Sequence, residues 1–391
     1  MDIRQLRAVP TAVALVLSAG VTAAVAGTAP ARADTSAVKV PAVISLGDSY
    51  ISGEAARWRG NGDTILPGSR YGTDLAAYDC NSSETWCYHD PERVYGQSYE
   101  NGCDRAKKAE ITKVDKVRVG TVDYPIAAAD RANVACSGAT TAAVDKDRFK
   151  GEAPQVKQLA DYAKKKAVKL VALSIGGNDL GFSDIVTYCM GYYVAGLGPC
   201  KTGYAKVLPG KIAKMAAAVR TTLQRIRATM TAAGYQNSDY RLVLQSYPSP
   251  IPRGPDNRYP EFPKPGEKSR TWDGGCPFYN EDSNWAYDTV IPGMASALAG
   301  AATSEQAEFL DLRFALRGHE VCAKGVRQAT AKETLAHPIP KPVAEWVRWI
   351  GVTQGAIQED MHPNSYGQEQ FGACLRTAAT GSGRTHTCTA P

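Results

Sequence analysis

The stretch that decides the fold is Ala42-Val43-Ile44-Ser45-Leu46-Gly47-Asp48-Ser49-Tyr50. Its apolar run is typical of a buried strand, and the run ends at Gly47, just before an acid and a serine. In open α/β sheets, ligands bind beyond the carboxyl ends of the strands. Ser49 is therefore a candidate nucleophile, although Gly, Asp and Ser are also ordinary turn residues.

Strand and helix patterns alternate along the rest of the chain. Strand patterns occur at 133–136, 167–175, 241–245 and 308–312. Helical patterns occur at 152–166, from Ile212 to Met230, near 284–303, and from Ser365 to about Ala379. The alternation predicts an α/β class domain in three α/β/α layers, with a doubly wound parallel sheet of about five strands.

The first 33 residues have the features of a secretory signal peptide. Basic residues precede an apolar run from about Thr11 to Gly27, and Ala31-Arg32-Ala33 offers small residues for cleavage. We expect cleavage before Asp34, a secreted protein, and a single domain over 34–391. An uncleaved membrane anchor is the alternative, but a run so rich in Ala, Gly and Thr spans a bilayer poorly, so we expect no stable membrane insertion.

Charge argues against nucleic acid as a partner. The chain carries a net charge of +6, and removal of three Arg and one Asp with the signal would leave +4. No Arg/Lys-rich block is present, and Lys164-Lys165-Lys166 fits the solvated end of a helix.

All ten cysteines follow the signal, and an even number in an exported chain favours disulfides over a metal site. The sequence leaves their connectivity open. Local pairing would close short irregular loops by joining Cys80 with Cys87, Cys189 with Cys200 and Cys374 with Cys388, leaving Cys103 with Cys136 and Cys276 with Cys322.

Two long segments lack a sustained helical or strand period. From Gly53 to about Ala132, aromatic residues alternate with Gly, Asp and Asn, and these rings either shape a binding site or pack beneath the loops. From Pro248 to about Phe278 the chain is rich in Pro and Gly, which favours a rim or lid.

Three later segments supply what a serine nucleophile needs: a base, a group that orients the base, and N–H donors for an oxyanion. Gly138 lies in a turn of small residues, and Asn178 lies in the Gly-Gly-Asn-Asp turn after the central strand. His362 lies beside Glu359 and Asp360 in the loop before the last helix.

These blocks, taken in order, carry a family resemblance: Gly-Asp-Ser-Tyr at 47–50, Gly138, Gly-Gly-Asn-Asp at 176–179, and His362-Pro363. Over about residues 42–378 the chain resembles the SGNH (GDSL) hydrolases. The block Gly318-His319-Glu320-Val321-Cys322 and the paired cysteines are similar to the secreted actinobacterial lipase and esterase branch.

The resemblance implies a flavodoxin-like SGNH hydrolase fold and a role for each matching residue. Ser49 would be the nucleophile and also an oxyanion donor through its backbone N–H, Gly138 a second backbone donor, Asn178 a side-chain donor, and His362 the base. No cofactor and no metal are implied. Loss of the Asn178 amide should cost about 2–4 kcal/mol of transition-state stabilisation.

The third catalytic group is where the chain departs from the family pattern. The family commonly has Asp three residues before the histidine, and this chain has Glu359 there, with Asp360 next to it. Glu359, Asp360 or a backbone carbonyl is left to orient His362, and we favour Glu359 or a carbonyl. Asp48 and Glu54 fit local hydrogen-bond partners that fix the Ser49 turn rather than a general base.

We therefore expect a secreted, monomeric serine hydrolase that cleaves carboxylic esters through an acyl-enzyme. Small-molecule or lipid esters, including phospholipid acyl esters, are the leading substrates because of the branch resembled. One alternative is a carbohydrate esterase that removes acyl groups from polysaccharide. The other is a non-catalytic secreted protein that binds glycans through its aromatic loops.

Overall fold

The computed structural model describes residues 39–62, 70–351 and 355–391. The predicted secretory signal, residues 1–33, lies outside the described residues. Within the described part of the chain, no helix combines the length and the apolar character needed to cross a membrane.

Six strands form the central sheet, and every neighbouring pair is parallel. They are β1 (Pro41–Gly47), β2 (Arg131–Asn133), β3 (Ala167–Ser174), β4 (Arg241–Gln245), β5 (Glu308–Phe314) and β6 (Thr385–Thr389). Their order across the sheet is 2-1-3-4-5-6. The first five follow the flavodoxin-like order, in which strands are added first on one side of β1 and then, from β3 onward, on the other side. The predicted α/β class and doubly wound sheet are therefore confirmed.

Two strands differ from the prediction. β6 adds a sixth strand that the sequence did not indicate, because Thr385–Thr389 is an edge strand in which Cys388 is the one buried residue. β2 ends at Asn133, where a strand over 133–136 was expected to begin. The apolar residues of that run instead form the following turn, in which the Cys136 N–H donates to the Gly47 carbonyl across 3.0 Å.

Helices cover both faces of the sheet. The longer ones are α1 (Gln155–Lys165), α2 (Phe182–Val194), α3 (Leu208–Ala232), α4 (Ile291–Ser304) and α5 (Ser365–Thr380). The shorter ones are Ser49–Ser52, Glu92–Tyr95, Thr141–Asp145, Gly177–Leu180, Lys201–Tyr204 and Asn280–Trp285. α3 packs against α1 and α4, and α5 packs against the hairpin of Lys116–Val119 with Val122–Pro125.

The buried stripe of α3 follows the periodicity read from the sequence. Its buried positions include Met215, Val219, Leu223, Ile226 and Met230. These residues recur at three- and four-residue spacing, so one face of the helix meets the core and the other stays in water.

Five disulfides join the ten cysteines in the pairing expected from local loops. They are Cys80–Cys87, Cys103–Cys136, Cys189–Cys200, Cys276–Cys322 and Cys374–Cys388. The Cys103–Cys136 bridge ties the irregular segment that follows β1 to the turn that carries Gly138.

The aromatic residues of the first irregular segment divide into two groups. Trp58 and Tyr95 are buried, whereas Trp86, Tyr88 and Tyr99 are exposed. The buried pair packs beneath the loops, close to the segment that carries His362. In the Pro-rich segment, Trp272 is 74% exposed.

Candidate active site

The turn after β1 holds Ser49 at the carboxyl edge of the sheet. Gly47 has a φ of +132°, and a Cβ atom added there would lie 1.9 Å from the Ser174 carbonyl oxygen, so only glycine fits. Ser49 begins a short helix whose N-cap is Asp48, with the Asp48 carboxylate accepting from the Tyr50 N–H at 3.1 Å. This local hydrogen bond is the role expected for Asp48.

Ser49 and His362, 313 residues apart in sequence, are in direct contact. The distance between Ser49 Oγ and His362 Nε2 is 2.7 Å. On the other side of the ring, Nδ1 lies 3.0 Å from the main-chain oxygen of Asp360. A carbonyl only accepts, so Nδ1 carries the proton and Nε2 is left to accept from the Ser49 hydroxyl.

The loop that carries His362 is fixed by main-chain hydrogen bonds. The Arg348 N–H donates to the His362 carbonyl at 2.8 Å, and the Met361 N–H donates to the Arg348 carbonyl at 2.9 Å. The Tyr50 hydroxyl donates to the Met361 carbonyl at 3.0 Å. Tyr50, which follows Ser49, thus fixes the position of Met361, which precedes His362.

Neither candidate acid contacts the imidazole. Glu359 accepts from Trp58 Nε1 at 2.9 Å and from the Tyr95 hydroxyl at 2.7 Å, and both contacts anchor the loop. The Asp360 carboxyl group is largely buried, and burial raises its pKa to about 7. The group at Nδ1 is therefore the Asp360 carbonyl, an arrangement that was left open by the sequence.

The predicted oxyanion donors lie on adjacent turns. Asn178 Nδ2 donates to the Ala139 carbonyl at 2.8 Å, which places the amide beside the turn that contains Gly138. Gly138 has a φ of +80°. Asn178 also shares a cavity wall with Ser49 and His362. Since one N–H of the amide is engaged by Ala139, the second N–H is the one available to a ligand.

Tyr247 joins the nucleophile turn to the amide turn, and the sequence analysis missed it. Its hydroxyl donates to the Asp48 carboxylate, and it accepts from the Gly177 N–H at 3.1 Å. Tyr247 follows β4, so its position beyond the carboxyl end of a parallel strand was the signal that could have identified it.

Burial sets the protonation state of the base. Desolvation lowers the pKa of His362 from 6.5 to about 4, although hydrogen bonds to the main chain of Asp360 and Glu359 act in the opposite direction. At neutral pH the imidazole is therefore uncharged, as a general base must be. Burial likewise raises the pKa of Asp48 to about 7.

A cavity of about 230 Å³ opens beside the serine and histidine. Its apolar wall includes Phe182, Val186 and Met190 from α2, together with Met294 from α4. A second cavity of about 40 Å³ has an almost entirely apolar lining and shares Phe182, Val186 and Met361 with the first. An apolar group attached to a carbonyl beside Ser49 thus has an apolar space to enter.

The remaining polar candidates have structural contacts. Asp179 accepts from the Thr141 N–H at 3.0 Å, and His319 stacks on Trp346 with its Nδ1 2.9 Å from the Ala344 carbonyl. Within the described ranges, one cluster has the spacing of a metal site: Cys189, Cys200 and Asp282. Its cysteines form a disulfide, and its aspartate accepts from the Cys200 and Lys201 N–H groups.

The site can perform proton transfer and covalent attack with its own residues. The serine hydroxyl has a neutral base in hydrogen-bond contact, the base has its tautomer fixed, and an amide donor lies across the same cavity.

Comparison with known proteins gives similarity of shape at low sequence identity. No protein-family model matches the chain, and no curated protein matches it in sequence. An extracellular lipase from Streptomyces rimosus is 19% identical, with a TM-score of 0.43, and the match covers 87% of this chain and 100% of the lipase. Phospholipase A1 from Streptomyces albidoflavus NA297 is 18% identical, with a TM-score of 0.43, and the match covers 88% of this chain and 100% of the phospholipase.

A carbohydrate acetylesterase from Sinorhizobium meliloti is 12% identical with a TM-score of 0.34, and that match covers 87% of this chain and 97% of the esterase. Similarity at these levels identifies neither the substrate nor the family of this chain.

Proposed function

We propose that the protein is a serine hydrolase of carboxylic esters in the manner of the SGNH hydrolases, secreted as one domain after removal of its signal. The observation that carries the proposal is the 2.7 Å contact between Ser49 Oγ and His362 Nε2 at the wall of an apolar cavity. A structural serine does not need a neutral, half-buried imidazole as its partner, whereas a nucleophile needs a neutral base.

In the proposed reaction, Ser49 Oγ attacks the ester carbonyl while its proton moves to His362 Nε2. The Asp360 carbonyl, which accepts from Nδ1–H, keeps the ring in place as the imidazolium forms. The Asn178 amide and the backbone N–H groups of Ser49 and Gly138 stabilise the oxyanion. His362 then protonates the departing alcohol, and a water activated by the same nitrogen releases the acid.

The cavity supports esters of apolar acids as substrates. Phe182, Val186 and Met190 on α2 and Met294 on α4 offer the acyl group an apolar wall in the cavity that Ser49, Asn178 and His362 also line. The acyl chains of lipid esters, including those of phospholipids, fit this apolar wall better than small polar acyl groups do.

The test is hydrolysis by the purified protein of three substrate sets: esters of increasing acyl length, phospholipid vesicles, and acetylated polysaccharide. We expect hydrolysis of the longer acyl esters, and a fall of roughly 10⁴-fold or more in Ser49→Ala. Hydrolysis of the polysaccharide alone would support the carbohydrate esterase instead. Glycan binding without any hydrolysis would support the binding protein, and activity retained by Ser49→Ala would refute the mechanism.

A further inference from the structure

A second buried carboxyl group lies next to the base. Glu54 is 1% exposed, and its Oε2 lies 3.6 Å from His362 Nε2, the nitrogen that contacts Ser49. Its backbone N–H donates to the Ser49 carbonyl at 3.3 Å, so its position is fixed relative to the nucleophile. The described wall of the substrate cavity does not include Glu54.

The same carboxyl group reaches the oxyanion turn. Ser137, the residue before Gly138, donates its hydroxyl to Glu54 Oε2 at 2.5 Å. The other oxygen, Oε1, is buried and has no hydrogen-bond partner among the described residues. A buried oxygen without a partner costs free energy, and such sites call for an explanation in function.

The charges around Glu54 favour its protonated form at rest. Burial raises its pKa well above 4.5, the nearby carboxylates of Asp104 and Glu359 raise it further, and the Ser137 hydroxyl and Lys150 lower it. Glu54 thus keeps its proton to a higher pH than an exposed glutamate does and ionises as the pH rises further.

We propose that Glu54 is a positioning residue whose carboxylate, facing Nε2 and tied to the Gly138 turn through Ser137, stabilises the imidazolium form of His362 during the reaction. In this site the Nδ1 side of the ring has a carbonyl, so the negative charge that favours a cationic ring is supplied from the opposite side. The inference rests on the proposed function, because it needs His362 to accept the serine proton.

The expected consequence is a second step in the pH profile. With Glu54 protonated, His362 works as an isolated neutral base. With Glu54 ionised, a negative charge stands 3.6 Å from the nitrogen that is protonated in the transition state. An opposite charge at such a distance favours the charged form by at least about one pKa unit, so kcat should rise about ten-fold or more as Glu54 ionises.

The experiment compares kcat and KM across pH for the wild type, Glu54→Gln and Glu320→Gln, using a water-soluble ester. Glu320 is a matched control, since it is also buried and burial also raises its pKa, to about 7. We expect kcat to rise with pH in the wild type and in Glu320→Gln, and we expect no such rise in Glu54→Gln, with KM unchanged. Ser137→Ala, which removes a hydrogen bond from the carboxylate, should move the rise to higher pH.

A second readout does not require turnover. The NMR signals of the His362 ring should shift when Glu54 ionises in the wild type, and that shift should be missing in Glu54→Gln. If no ester is hydrolysed but the NMR shift is present, the proposed function fails while the coupling stands. The inference is overturned if kcat of Glu54→Gln still rises with pH as in the wild type. It is also overturned if Glu54→Gln loses the same fraction of kcat at every pH while its thermal unfolding midpoint matches that of Glu320→Gln.

Discussion

His362 is oriented by a main-chain atom, and this explains why the sequence could not decide the third group. Every residue carries a carbonyl, so no residue type marks the one that accepts from Nδ1. Ser49 and His362 could be named as candidates from the sequence because a nucleophile and a base need particular side chains at particular places. Glu359 and Asp360 are acids of the type that could orient a histidine, but their side chains do not contact the His362 ring.

Changing the two acids to amides tests this arrangement. Asp360→Asn should keep the turnover of the wild type, because the carbonyl that holds Nδ1 remains. Glu359→Gln should keep turnover per folded molecule but lose about 1–3 kcal/mol of unfolding free energy, since a carboxylate that accepts from Trp58 and Tyr95 is replaced. Active-site titration together with chemical denaturation separates the two effects, and a large loss of kcat in Asp360→Asn would count against a carbonyl-oriented base.

The pH at which activity is lost on the acid side should lie well below the usual pKa of histidine. The base must be neutral, and burial lowers the pKa of His362 to about 4. Because kcat/KM reports the free enzyme, it should be half-maximal near pH 4 and fall as pH drops further. Assays on samples returned to neutral pH control for unfolding. A midpoint near 6.5 would show that the ring is not desolvated as described.

At the scale of elements, α2 connects the site to the acyl cavity. The helix follows directly after the turn that carries Asn178, so the Asn178 amide and the apolar wall of the cavity are positioned together. The sequence indicated the turn from its glycines and its place after β3. It did not indicate a helix at Phe182–Val194, and which face of α2 meets the cavity depends on packing against distant segments such as α4.

Filling the cavity should change acyl-chain preference and spare chemistry. Val186→Trp places a large ring where both cavities meet, so hydrolysis of long-chain esters should fall by roughly 10–200-fold relative to acetyl esters. Val194→Trp is the matched control, since Val194 lies on the same helix and is 62% exposed. Equal losses for short and long esters in Val186→Trp would mean that the acyl group binds elsewhere.

The edge strands are the part of the sheet that the sequence patterns did not predict correctly. β1, β3 and β4 are buried, and their apolar runs predicted them. β2 and β6 lie at the two edges of the sheet and carry half-exposed or polar side chains, so no apolar run marks them. Their pairing comes from main-chain hydrogen bonds, which any sequence can make.

At the scale of the whole molecule, buried carboxyl groups set the response of stability to pH. Burial raises the pKa of several of them, among them Asp48, Glu320 and Asp360, to about 7, and Glu110, to about 8. A group with a raised pKa in the folded state favours folding while it is protonated. As pH rises from about 4 to 8, the unfolded chain ionises first and the free energy of unfolding falls.

The thermal unfolding midpoint should therefore be higher at about pH 6.5 than at about pH 8.5. His362 acts weakly against this trend, because its pKa is lowered in the folded state and the unfolded imidazole is still about half protonated at pH 6.5. Scanning calorimetry at constant ionic strength gives the measurement, and Glu110→Gln should flatten the difference. A midpoint that rises with pH over this window would contradict the assignment of buried, neutral carboxyl groups.

In the proposed mechanism, Ser49 forms an acyl-enzyme with His362 as its base. The most direct measurement is intact-protein and peptide mass spectrometry after rapid acid quenching of the reaction with an activated long-chain ester. We predict one acyl group per molecule on the peptide that contains Ser49, no adduct in Ser49→Ala, and strongly slowed acylation in His362→Ala. Ester hydrolysis without an adduct on Ser49, or an adduct on another residue, would contradict the claim.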